Sequence, residues 1–68
     1  MKVYGVKLKS AIVRAATQGI SPYKLEYETG INNLDELARQ GVVELDEKKL
    51  NLLAEVTGFE PSYFSTDF

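Results

Sequence analysis

Between positions 32 and 39 the chain gathers Asn32, Asn33, Asp35, Glu36 and Arg39. These side chains can read hydrogen-bonding edges: an asparagine amide pairs bidentately with adenine, an arginine takes guanine or a phosphate, and a carboxylate accepts from cytosine N4. Each also has a plainer use. Asn32 or Asn33 suits a helix N-cap, and Arg39 suits the negative end of a helix dipole. A second set, Lys2, Lys7, Lys9, Arg14 and Lys24, can hold phosphates, on the order of two to four contacts, or stand as ordinary solvated cations. Bond-making chemistry is poorly provided for, because the chain has no histidine and no cysteine. The commonest general base, the thiol nucleophile, disulfides and the usual metal ligands go with them. No carboxylate pair has a spacing that would place it in an apolar pocket, so neither an enzyme nor a cofactor is expected.

These residues must be held by a small scaffold. Sixty-eight residues, 44% hydrophobic, suffice for one domain spanning 1–68 with a single marginal core. The net charge of −2 conceals an asymmetry: residues 1–24 carry five cations and no acid, whereas residues 25–68 carry three cations and ten acids. Such a division fits a polyanion or an acidic protein at the basic end. The opening MKVYGVKLKSAIVRAA has no apolar stretch long enough for a signal peptide or a membrane span, and a cytoplasmic chain is expected.

Glycine at 5, 19, 30, 41 and 58 and proline at 22 and 61 divide the chain. From Val6 to about Thr17, Leu8, Ile12, Ala15 and Ala16 recur at helical spacing. Ser21 then Pro22 cap and open a second helix reaching Glu28, which buries Leu25 and one ring of Tyr23 or Tyr27. A third, short helix follows Asn32 or Asn33 with Leu34, Leu37 and Ala38 inward and Asn33, Asp35, Glu36, Arg39 and Gln40 outward. Asp46 caps a fourth, Glu47 to about Thr57, burying Leu50, Leu53, Ala54 and either Val56 or Thr57. Pro61 starts a last helical turn. The expectation is an all-α, compact five-helix domain, with residues 1–5 an extended N-terminal arm and Val42-Val43-Glu44 a loop. The alternation over residues 2–7 also admits a brief strand, though the arm is preferred.

Two stretches, SPYKLEYETGI (21–31) and GVVELDEKKLNLLAEVTG (41–58), resemble the Cro and lambda-repressor-like helix-turn-helix family, of the phage-repressor type. The resemblance lies in Leu25 followed by Thr29-Gly30-Ile31 at the turn. It continues after Gly41 with Leu45, Leu50, Leu53-Ala54 and Gly58 at the family's spacing, and covers most of the chain. It implies a repressor-like regulator of transcription binding duplex DNA. The second helix would lie on the backbone and the third in the major groove. The implied DNA-contacting residues are Lys7, Lys9, Ser21, Tyr23, Lys24, Asn32, Asn33, Asp35, Glu36 and Arg39. The resemblance also suggests a homodimer, with Val42, Val43, Phe59, Phe64 and Phe68 as candidate dimer or partner surface.

Three departures from the family pattern lie on that surface. Glu26 stands where alanine usually lets the two helices close, so it must turn outward or widen the gap. The segment between Gly30 and Gly41 is about one residue short. Val42-Val43-Glu44 replaces a loop that is often basic. Together with Asp35 and Glu36 they keep open an alternative: a degenerate helix-turn-helix binding a protein partner, such as an antirepressor or a phage-encoded inhibitor, instead of DNA.

Overall fold

Val3 and Val43 face each other across an antiparallel pair of short strands, β1 (Lys2–Tyr4) and β2 (Val42–Glu44), and both side chains enter the core. In the computed structural model, which describes residues 1–66, this sheet sits beside five helices: α1 (Gly5–Thr17), α2 (Pro22–Thr29), α3 (Leu34–Leu37), α4 (Glu47–Thr57) and α5 (Pro61–Phe64). The all-α expectation is therefore corrected to a mixed fold, in the order β1-α1-α2-α3-β2-α4-α5. The N-terminal arm is β1, and the Val42-Val43-Glu44 loop is β2. Both stretches hold two β-branched or aromatic residues with the central valine buried, and each supplies the other's backbone partners. Neither strand is long enough to declare itself alone.

The junction between sheet and helices admits no side chain at position 5. The Gly5 N–H donates to the Gly41 carbonyl at 3.1 Å, and a Cβ on Gly5 would stand 1.8 Å from the Gln40 carbonyl oxygen. On its other side β1 meets the chain's end: Val3 bridges Ser65, and the Thr66 N–H donates to the Lys2 carbonyl at 3.1 Å. Phe64, fully buried, is thereby drawn beneath the strand.

The turn between α2 and α3 is built by Thr29, Gly30 and Ile31. Ser21 caps α2 by accepting the Lys24 N–H at 3.2 Å, with Pro22 in the first turn where its missing N–H costs nothing. At the other end Gly30 takes a left-handed φ of 73° and donates to the Glu26 carbonyl. The buried Thr29 hydroxyl donates to the Leu25 carbonyl at 2.8 Å and accepts the Ile31 N–H at 3.3 Å, so the polar groups of a buried corner are satisfied. Leu25, Ile31 and Leu34 then converge with Leu8, Leu50 and Leu53 in one core. In α4 the expected face is buried, Asp46 caps the start by accepting the Lys48 N–H at 2.7 Å, and Thr57 rather than Val56 completes the stripe. Two expected burials differ. Ala16 faces outward, Ala11 taking its place, and neither Tyr23 nor Tyr27 is buried, their exposures being 86% and 88%. With only eight residues, α2 turns a single narrow face inward, filled by Leu25 and Thr29.

Among the described residues no helix is long and apolar enough to cross a membrane.

Candidate functional site

The N-terminal end of α3 is held by a side chain from α2. Asn33 occupies the residue before the helix in a left-handed conformation, φ 58°, which asparagine tolerates better than most, and its side chain makes no capping bond. The Glu26 carboxylate provides it, accepting the Leu34 N–H at 2.8 Å. Glu26, expected to turn outward or widen the gap, instead turns half-buried toward α3 and supplies the cap expected of an asparagine. At its other end α3 tightens into three-residue hydrogen bonds, Arg39 N–H to the Glu36 carbonyl and Gln40 N–H to the Leu37 carbonyl, both 3.1 Å. The Gln40 carbonyl must meet Gly5, and β2 must start at Val42 to pair with β1. Confined in this way, α3 has four residues, about 6 Å of axis.

Around this turn lies a cleft lined by Pro22, Tyr23, Glu26, Asn33, Asp35 and Glu36. It holds three carboxylates and no cation, and among the described residues no cationic group lies within ion-pair distance of Asp35 or Glu36. Tyr23 and Tyr27, four residues apart on α2, are exposed, with Lys24 exposed between them in sequence. Ser21 is occupied as the α2 cap. Asn32 is exposed beside Asn33 in the turn. Next to this cleft, Lys9, Ile12, Asp35, Ala38 and Arg39 line a second one, where Arg39 and Lys9 come together across α3 and α1.

The remaining cations are placed elsewhere. Lys7 Nζ lies 4.0 Å from the centre of the Tyr63 ring, and the Arg14 guanidinium lies 3.9 Å from the centre of the Phe59 ring. The two rings are stacked at 4.4 Å and 5°. Each ring has one face against the other, so the cations occupy the outer faces, giving a column Lys7–Tyr63–Phe59–Arg14. Phe64 meets both rings edge-on. Nothing local in the sequence relates positions 7 and 14 to 59 and 63, so the column is not legible there.

The candidate dimer residues are correspondingly redistributed. Val43 and Phe64 are core residues, Phe59 is half-buried in the column, and of the described members only Val42 is well exposed. Phe68 lies outside the described residues. Sheet pairing accounts for Val43 and the closing bridge at Ser65 for Phe64.

What the α2–α3 surface offers a partner is therefore an acidic cleft with an exposed aromatic rim, and a basic, partly preorganised face lies on α1. Compared with known proteins, the chain matches no family model, no curated protein and no solved structure.

Proposed function

We propose that this domain is a regulatory module on a helix-turn-helix-like scaffold that binds a protein, its α2–α3 face receiving a basic protein surface instead of the DNA groove. The observation that carries the reading is the cleft of Glu26, Asp35 and Glu36 without a cation, at the position from which a recognition helix would approach DNA. Setting two free carboxylates against a phosphate-lined groove opposes like charges at a cost of several kcal/mol. A helix of four residues also presents too little length to read successive base pairs. The same features favour a cationic partner. Tyr23 at the rim, 86% exposed, offers a ring face to an arginine or lysine, and tyrosine and arginine are the side chains that protein interfaces concentrate.

The test is fluorescence anisotropy of a labelled arginine-rich peptide titrated with the domain and with its Asp35→Lys/Glu36→Lys variant. Binding by the wild type that weakens with salt and is lost in the variant is the expected result. Equal binding by both proteins would remove α3 from the contact surface.

A further inference from the structure

The outward face of α1 is not a typical solvated face. At 100° per residue, the direction opposite the buried Leu8, Ala11 and Ala15 is occupied by Val6, Ser10, Val13 and Thr17, spaced four, three and four apart as in the seam of a coiled coil. Val6 is 64% exposed and Val13 55%. The two hydroxyls of the stripe are turned back onto the helix, Ser10 donating to the Val6 carbonyl at 3.3 Å and Thr17 to the Arg14 carbonyl at 2.6 Å. Their donors are satisfied internally, so the stripe outside is mostly methyl and methylene. One side of it continues into a shallow cleft where Val13 and Thr17 meet Phe59 and Tyr63.

The flanks of this stripe are cationic on both sides. Lys7 and Arg14 run along one edge and Lys9 along the other, and residues 1–24 contain no acid. Lys7 and Arg14 are already held over the Tyr63 and Phe59 rings, so much of the side-chain freedom that an ionic contact would otherwise remove is already lost in the free protein. In helix pairs the apolar seam supplies contact area while the flanking charges choose the partner. A second copy of the chain is a poor choice, because packing α1 on α1 would oppose cations with cations.

We infer that the outer face of α1 is a docking surface for an acidic amphipathic helix of another protein, with Val6 and Val13 in the seam and Lys7, Lys9 and Arg14 pairing with carboxylates that flank it. This goes beyond the reading of the α2–α3 cleft and uses none of its residues, so the domain would join a basic surface on one side to an acidic helix on the other.

A suitable probe is a fluorescein-labelled three-heptad peptide with leucine at the a and d positions and glutamate at e and g, whose own charge disfavours self-association. Titrated with the full chain at low salt, it is expected to bind, to weaken as salt rises, and to lose about tenfold or more in affinity with either Val6→Glu or Val13→Glu. Both positions are exposed, so both variants should keep the wild-type circular dichroism and melting curve. The Glu36→Gln variant, altered on the α2–α3 cleft and away from Lys9, must bind the peptide as the wild type does, whatever becomes of its arginine-rich ligand. No binding at low salt, or equal binding by Val13→Glu, overturns the inference. So does sedimentation showing a dimer of the chain that Val13→Glu dissociates, or short duplex DNA displacing the peptide from this face.

Discussion

Glu26 on α2 accepts the backbone N–H of Leu34, eight residues later, at 2.8 Å. One bond accounts for two features. It satisfies a donor that the left-handed Asn33 leaves open, and it ties the start of α3 to the side of α2. It also commits a carboxylate to the floor of the cleft, making the acidity of this surface partly a consequence of how the turn is built.

Replacing Glu26 by alanine should therefore cost about 1 kcal/mol in unfolding free energy, the usual scale of a lost helix cap. Glu26→Gln should cost less, because the amide oxygen can still accept the Leu34 N–H. Urea unfolding measures both, and hydrogen exchange at Leu34 should quicken in the alanine variant before the rest of the core is affected. Identical midpoints for wild type and Glu26→Ala would show that the bond contributes nothing to stability.

The two glycines at the sheet junction should behave oppositely. Gly5→Ala drives a methyl to 1.8 Å from the Gln40 carbonyl oxygen, a backbone atom fixed between α3 and β2. On a marginal domain it should cost roughly 3 kcal/mol or more, enough to leave much of the protein unfolded at 25 °C. Gly41→Ala meets nothing within 4 Å and should be neutral or stabilising by up to about 1 kcal/mol through the unfolded chain. A fully folded Gly5→Ala variant would refute the described approach of α1 to the α3–β2 turn.

Much of this fold is readable along the sequence, and what is not has a common cause. The caps at Ser21 and Asp46, the left-handed ends at Gly30 and Gly58 and the inward leucines of α4 are local, determined by residues within about one turn of each other. The sheet, the Glu26 cap and the Lys7–Tyr63–Phe59–Arg14 column depend on residues brought together from a distance. Three residues at each of β1 and β2 are too few for a period-two pattern to distinguish strand from arm or loop. The tyrosines of α2 illustrate the reverse error: size suggested burial, but so short a helix had room inward only for Leu25 and Thr29. At the candidate site the acidic residues and a short third helix are legible in the sequence, whereas the four-residue length of α3 and its Glu26 cap depend on contacts with α1, α2 and β2.

The column gives a prediction that separates packing from charge. Arg14→Met keeps the aliphatic stem and removes the cation, while Phe59→Leu keeps bulk and removes the ring. The double-mutant cycle between them should give a coupling of about 0.5–1 kcal/mol in thermal or urea unfolding, the range for a cation on an exposed ring face. Strict additivity would mean that the guanidinium and the ring are neighbours without being partners.

The α2–α3 face is put to the test by titrating the wild-type domain with random duplex DNA at low and moderate salt. The acidic cleft leads to the expectation of no measurable binding at either, with salt-dependent affinity appearing only when Asp35 and Glu36 are both changed to lysine. Binding by the wild type that falls steeply with salt and is lost when Lys24, Asn32 and Arg39, which belong to α2, the turn and the end of α3, are replaced by alanine would contradict this and return the surface to DNA.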